Sequence, residues 1–203
     1  LTEKNEPGMT VRQLFSRGWF WLLLVMMLCA GASEQAVSQW ASAFAEKGLG
    51  LSKTLGDLAG PMAFAALMGL SRLLYGKYGG RLELHRCMCG STLLCVAAYL
   101  AIVLVPSPMV GLAGCAVCGF SVGILWPGSF SIASATLRGG GTAMFALLAL
   151  AGDLGCAGGP TLAGLVSSAH GNDLRAGILA ALCFPVLMLL CLLGMGRKRQ
   201  PQP

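Results

Sequence analysis

The chain has 203 residues, of which 56% are hydrophobic and 11% charged, and its net charge is +6 at pH 7. Soluble domains carry about 25% charged residues, so this composition excludes an ordinary soluble protein and indicates a multi-pass membrane protein. The Lys and Arg residues lie in short loops between apolar runs. Nucleic-acid binding would need a basic face interleaved with aromatic residues, and the sequence therefore argues against it.

Six apolar runs are long enough to cross a hydrocarbon core of about 30 Å. In chain order they cover residues 19–45, 55–75, 87–105, 109–134, 142–168 and 174–195. The predicted fold class is an all-α membrane protein, a six-transmembrane-helix bundle over residues 19–195. Residues 1–18 are predicted as a cytoplasmic linker and residues 196–203 as a basic cytoplasmic tail.

The distribution of positive charge predicts the orientation. All Lys and Arg residues except Lys47, Lys53 and Arg175 fall on the side of the two termini. Cytoplasmic loops carry the excess of Lys and Arg. We therefore expect an integral protein of the cell (inner) membrane with both termini in the cytoplasm, in contact with the lipid bilayer.

Cysteine is abundant, but its placement does not indicate a metal or cofactor site. All nine cysteines except Cys87 lie within or at the edge of a predicted span, where a free thiol acts as a small apolar group. A structural zinc site needs four converging ligands, and the two histidines, His85 and His170, are far apart in sequence. No metal and no cofactor are predicted.

Two carboxylates are predicted deep in the membrane. At a rise of about 1.5 Å per residue, Glu34 lies about 22 Å along its helix from Trp19, and Asp153 lies about 16 Å along its helix from Thr142. Both positions are near the bilayer midplane, where transporter substrate and ion sites occur. Because an intramembrane acid is unfavourable without a partner, we predict that both bind substrate or protons. The alternative is a polar side chain satisfied by neighbouring helices.

Polar and aromatic side chains follow Glu34 in the same predicted helix. Amides beside an aromatic ring suit a sugar or a similar polyhydroxyl molecule, although the aromatic side chain could equally serve packing. The predicted substrate or proton pathway beyond the two acids consists of Gln35, Ser38, Gln39 and Trp40.

Glycine and proline interrupt three of the spans. Proline kinks a helix and small residues permit close helix approach, so these positions predict either bending elements for gating or tight packing. They are Pro61, Gly123, Trp126, Pro127, Gly158 and Pro160.

The segment Gly119-Phe-Ser121-Val-Gly123 matches the G-x-S-x-G nucleophile elbow of serine hydrolases. That chemistry requires a strand–turn–helix context and a histidine within reach. Here the motif lies inside a predicted membrane span, and His170 is predicted in a loop on the outer side. A membrane serine hydrolase is therefore a remote alternative, and we predict that the protein is not an enzyme.

The loop Gly76-Lys77-Tyr78-Gly79-Gly80-Arg81, which follows a helix ending near Arg72, resembles the basic cytoplasmic loop D-R-x-G-R-R/K of the major facilitator superfamily. Lys77, Gly79 and Arg81 match that pattern. Gly76 stands at the family's acidic position, so the chain lacks the acidic group that helps hold the inward-closed arrangement in the family. We assign Arg72, Lys77, Gly79 and Arg81 to this cytoplasmic loop.

With six spans and both termini inside, the chain resembles the C-terminal six-helix half of such a transporter. The segments Glu34-Gln35 and 153–160 resemble the sugar- and fucose-permease branch. The resemblance implies proton-coupled symport of a small polar solute, such as a sugar, by alternating access. The implied partner is an N-terminal six-helix half, in the same chain if this sequence is a fragment, or a second copy. The alternative is a half-size or truncated membrane protein without transport activity.

Overall fold

A computed structural model describes residues 8–42, 46, 52–79 and 82–199. These residues form helices and contain no strand, which confirms the predicted all-α fold. In chain order the helices are α1 (Val11–Phe15), α2 (Gly18–Ser38), α3 (Lys53–Tyr78), α4 (Leu84–Leu104), α5 (Pro108–Val122), α6 (Leu125–Thr136), α7 (Gly141–Ala169), α8 (Leu174–Ala181) and α9 (Cys183–Arg199).

Six helical segments in the described residues are long and apolar enough to cross a membrane, as predicted. They are Gly18–Ser38, Leu58–Tyr78, Leu84–Leu104, Met109–Thr136, Gly141–Ala169 and Leu174–Gly196. The fourth consists of α5 and α6, and the sixth contains α8 and most of α9.

Helix α2 ends at Ser38, and the chain is helical again at residues 41 and 42 after a short turn. Residues 43–45 of the predicted first span lie outside the described residues. The backbone N–H of Trp40 donates to the carbonyl of Val37, three residues back, at 3.1 Å. A three-residue bond of this kind tightens and terminates an α-helix. Gln39 and Trp40 therefore lie in a turn beyond the helix.

Helix α2 lies at the centre of the bundle, and its most extensive contact is with α7. Glycines let the two backbones approach closely. A Cβ on Gly155 would overlap the carbonyl oxygen of Leu28, and one on Gly159 would lie 2.5 Å from the carbonyl oxygen of Ala32. Small residues serve this purpose in membrane helices, where van der Waals packing drives association. We call this contact the glycine seam.

The fourth span breaks between α5 and α6, at Gly123 and Ile124. Gly123 is one of the bending residues predicted for this span, together with Trp126 and Pro127, and the interruption lies about one turn before the proline. Proline has no N–H and cannot donate to the carbonyl four residues before it. For Pro127 that carbonyl belongs to Gly123, so the position of the break follows from the position of the proline.

The end of the predicted linker contacts the bundle. The N–H of Met9 donates to the carbonyl of Gly139 at 2.9 Å, and the side chain of Leu14 in α1 is fully buried. Indole Nε1 of Trp21 donates to the carbonyl of Phe15 at 3.0 Å. Residues 9–15 are thereby joined both to α2 and to the turn between α6 and α7.

Candidate functional site in a charged membrane cleft

A cleft of about 370 Å³ opens between three of the membrane spans. Its lining combines one carboxylate, one guanidinium, two aromatic rings and a proline. The lining residues are Glu34, Arg72, Trp126, Pro127 and Phe130. We call this space the Glu34–Arg72 cleft.

Glu34 lies in the last turns of α2 and its side chain is half-buried. Arg72, on α3, is a positive charge close enough to act on it electrostatically. In the described residues the one direct ion pair joins Arg86 and Glu83, at 2.7 Å. Glu34 and Arg72 therefore line the same cleft without forming a direct ion pair.

Arg72 does not lie in the cytoplasmic loop, contrary to the sequence prediction. Helix α3 continues to Tyr78, so both Arg72 and Lys77 are helical. Lys77 lies in the last turn, with Nζ 5.3 Å from the centroid of the Tyr78 ring, and Gly79 follows the helix end. Arg81 is outside the described residues.

The guanidinium of Arg72 is held by the break in the fourth span. Its Nε donates to the carbonyl oxygen of Gly123 at 3.1 Å, and Nη2 lies 3.7 Å from Sδ of Met68. The Gly123 carbonyl is available because Pro127 cannot donate to it. Gly123 lies near the middle of the fourth span, Met109–Thr136, so the guanidinium is bound partway along a membrane-spanning segment.

An aromatic wall closes one side of the cleft. The Trp126 and Phe130 rings are 6.2 Å apart, and Phe145 of α7 lies 5.9 Å beyond Phe130. The Trp126 ring lies against Gly152, where a Cβ would be 2.5 Å from the ring. Indole Nε1 of Trp126 is buried without a hydrogen-bond partner in the described structure, so it is a free donor within the wall.

Asp153 adjoins the cleft but is absent from its lining. Its side chain is exposed on α7, directly after Gly152, which contacts Trp126. Both Asp153 and Glu34 are close enough to Cys156 to act on it electrostatically. The two predicted acids are therefore near each other, although one cavity does not join them.

The other predicted pathway residues do not line this cleft. Gln35 and Ser38 lie on α2, whereas Gln39 and Trp40 follow it. The Trp40 ring lies over Gly164 of α7, and its buried Nε1 has no hydrogen-bond partner in the described residues. The aromatic wall beside Glu34 is thus formed by Trp126 and Phe130, two residues far away in sequence.

The predicted bending residues fall into two groups. Gly123, Trp126 and Pro127 lie at or next to the break in the fourth span, where Trp126 and Pro127 also line the cleft. The other three lie in unbroken helices, Pro61 within α3 and Gly158 and Pro160 within α7. Gly158 is exposed, and a Cβ there would meet no atom within 4 Å, so it plays no part in close packing.

The G-x-S-x-G segment lacks the surroundings of a nucleophile elbow. Ser121 is fully buried near the end of α5, and its hydroxyl donates to the carbonyl of Cys118 at 2.7 Å. His85 bonds with the carbonyl of Leu192, and His170 with that of Val166. Neither histidine is therefore placed to activate Ser121.

Comparison with known proteins supports the transporter interpretation. The family model of the Major Facilitator Superfamily matches residues 2–160, a region that contains every residue lining the cleft. No curated protein matches the chain. With its six apolar helices, the chain is a multi-pass integral membrane protein, and it belongs to the Major Facilitator Superfamily of membrane transporters.

Proposed function

We propose that the chain is one six-helix half of a secondary active transporter that moves a small polar solute by alternating access, in symport with protons. Residues 1–18 would end the loop that joins the halves, and the basic residues 196–203 would form a cytoplasmic tail. The positive-inside distribution of Lys and Arg supports cytoplasmic termini, in the cell membrane.

The observation that carries this proposal is the Glu34–Arg72 cleft. A carboxylate and a guanidinium at membrane depth are unfavourable in lipid and belong next to water or protein. Arg72 is exposed in this half, so we assign the face that carries it to a water-filled pathway. Glu34 is then the proton carrier, because its carboxylate can exchange a proton whenever the cleft opens to water.

Alternating access rocks one bundle against another around a central site. One six-helix bundle supplies one wall of that site, and the Glu34–Arg72 cleft is open on the opposite side. We propose that an N-terminal six-helix half, or a second copy of this chain, completes it. An immunoblot of the source membrane distinguishes these two arrangements. A band near 21.0 kDa would mean that a complete transporter requires two copies of the chain. The alternative would then be a half-size protein without transport activity.

The proposal is tested by Glu34→Gln in the natural polypeptide, expressed in cells that are screened for accumulation of radiolabelled solutes. We expect the variant to reach the membrane and to lose proton-driven accumulation, because glutamine cannot exchange a proton. Glu83→Gln is the matched control, since Glu83 pairs with Arg86 at the exposed start of α4. Undiminished accumulation by Glu34→Gln would contradict the proposal.

The same screen addresses the predicted sugar class. Gln35 and Gln39, the amides that favour a sugar, do not line the cleft. The aromatic wall is therefore the feature of this site that supports a sugar as the substrate. Accumulation of a neutral polyhydroxyl solute that depends on Glu34 would establish it.

A further inference from the structure

We infer that the Glu34–Arg72 cleft binds a small solute carrying a single carboxylate, with Arg72 as the residue that binds the negative charge. This inference rests on the proposed transport function and narrows its substrate to an organic monoanion. Arg72 has no part in the substrate pathway predicted from the sequence, because it is grouped there with the basic cytoplasmic loop.

The first argument is the placement of the guanidinium. An arginine near a helix end commonly extends toward the membrane surface to keep its charge in water. Arg72 is bonded to a neighbouring span instead, because Nε donates to the carbonyl of Gly123 at 3.1 Å. Only Nε is used by that carbonyl, and the terminal nitrogens keep N–H groups that can donate to the two oxygens of a carboxylate.

The second argument is charge balance. Arg72 is the cation of the cleft lining and Glu34 its anion. When Glu34 is protonated the pair carries one positive charge, which matches one carboxylate. A dianion such as a phosphate ester would require a further cation, and the lining residues that the structure describes include none besides Arg72.

The third argument is the shape and chemistry of the wall. Small-molecule pockets are mostly apolar, with a few polar groups that orient the ligand. Here Trp126 and Phe130 supply an apolar surface beside the guanidinium, and the indole Nε1 of Trp126 is buried in the same wall without a hydrogen-bond partner in the described structure. This pattern suits an anion with a short apolar body rather than a fully hydroxylated ring.

Coupling to protons follows from competition for Arg72. A bound carboxylate becomes the counter-charge of Arg72. The carboxylate of Glu34 then loses the electrostatic stabilisation that Arg72 provides, and it takes up a proton from the solvent. The other titratable groups around Glu34 in the described structure are Asp153 and Cys156 on α7. Tyr99 on α4 donates its hydroxyl to the carbonyl of Ser33 at 2.8 Å. One anion and one proton then cross together without net charge.

The test uses benzoate and its neutral isostere benzamide as probes, with the natural polypeptide purified in lipid nanodiscs. Binding is measured by titration calorimetry at pH 7, and proton uptake is followed with an indicator dye in weakly buffered solution. We expect benzoate to bind about tenfold or more tightly than benzamide, since a charge-assisted hydrogen-bonded pair contributes about 1.5–3 kcal/mol. One proton should be taken up for each benzoate bound and none for benzamide.

Arg72→Gln and Glu34→Gln should have opposite effects on benzoate binding. Arg72→Gln should weaken benzoate binding about tenfold or more while leaving benzamide binding unchanged. Arg72→Lys should restore part of the difference, and Arg86→Gln, an exposed arginine outside the cleft, should have no effect. Glu34→Gln should strengthen benzoate binding, because the competing carboxylate is gone, and should abolish proton uptake. If Arg72 only bonds to the carbonyl of Gly123 and does not bind the solute, Arg72→Gln will leave the ratio of benzoate to benzamide affinity unchanged.

Equal binding of benzoate and benzamide, or weaker benzoate binding by Glu34→Gln, would overturn the inference. Both measurements stand even if Arg72→Gln fails to fold, because they use the unmodified protein and a variant at another position. If solute accumulation depends on Glu34 but the two probes bind alike, the monocarboxylate inference fails and the transport proposal remains. If benzoate binds selectively but Glu34→Gln accumulates every solute normally, the proposed proton coupling fails instead.

Discussion

The fourth and fifth spans both combine glycines with a proline, yet they use them in opposite ways. In the fourth span, Pro127 coincides with a break at Gly123 and Ile124, and a side chain from another helix binds the carbonyl at the break. In the fifth span, Pro160 lies inside the unbroken helix α7, and the glycines there form the seam with α2. The same residue types thus produce a polar site in one span and a tight apolar contact in the other.

The difference shows that proline alone does not determine where a membrane helix breaks. Removing an N–H frees one carbonyl in each span, at Gly123 in the fourth and at Cys156 in the fifth. The Gly123 carbonyl receives a charged donor, and helical bonding is interrupted there. Helix α7 continues through Pro160, and the adjacent Gly159 packs closely against α2. Five substitutions, described in order of expected effect, measure the two cases.

The largest effect is expected at the glycine seam. Gly155→Ala should lower the free energy of unfolding by about 3 kcal/mol or more, because overpacking against a backbone carbonyl forces helices apart. Gly158→Ala, three residues along the same helix, should raise it by about 1 kcal/mol or less through helix propensity. Reversible unfolding in mixed micelles, followed by circular dichroism, measures both. Equal effects would mean that the seam does not distinguish these two glycines.

An intermediate effect is expected at the break. Arg72→Gln should destabilise the protein by about 1–3 kcal/mol, because the Gly123 carbonyl loses a charged donor. Introducing Pro127→Ala supplies an N–H that can bond to that carbonyl, so the destabilisation by Arg72→Gln should then be smaller by about 1 kcal/mol. A double-mutant cycle isolates this coupling. Strict additivity of the two substitutions would show that Arg72 and Pro127 do not share the carbonyl.

The smallest effect is expected for the prolines alone. Pro160→Ala should stabilise the protein by about 1 kcal/mol, because a new N–H can bond to the free carbonyl of Cys156. Pro127→Ala should change stability less, since Arg72 already occupies the carbonyl that the new N–H would use. Thermal unfolding of the two variants side by side provides the measurement, and a larger gain from Pro127→Ala would reverse the comparison.

Hydropathy predicted the number and order of the spans because transfer into lipid depends on residue type alone. The lining of the cleft could be predicted only in part. Glu34 was identified as a costly charge in an apolar run, and depth estimates placed Asp153 correctly in a helix. Depth does not give direction around the helix, so the sequence could not show that Asp153 is absent from the cleft lining.

Arg72 was assigned to the cytoplasmic loop together with the basic residues that resemble the family's loop motif. Its partner, Gly123, is 51 residues away, a tertiary contact that no local pattern reports. The positions of the prolines do help to predict where a membrane span breaks. Both split spans break at or next to the residue four positions before a proline. Gly123 is four residues before Pro127, and Leu182 directly follows Ala181, which is four residues before Pro185.

The anchoring of the segment before α2 has a mechanical consequence. Met9 is bonded to Gly139, and a Cβ on Gly8 would lie 3.1 Å from Cα of Gly141. Tension on the chain ahead of the first span is therefore transmitted to the corner between α6 and α7 as well as to α2. Phe145 lies one turn into α7 and contacts Phe130, so a continuous set of contacts joins the segment before α2, this corner and the aromatic wall of the cleft.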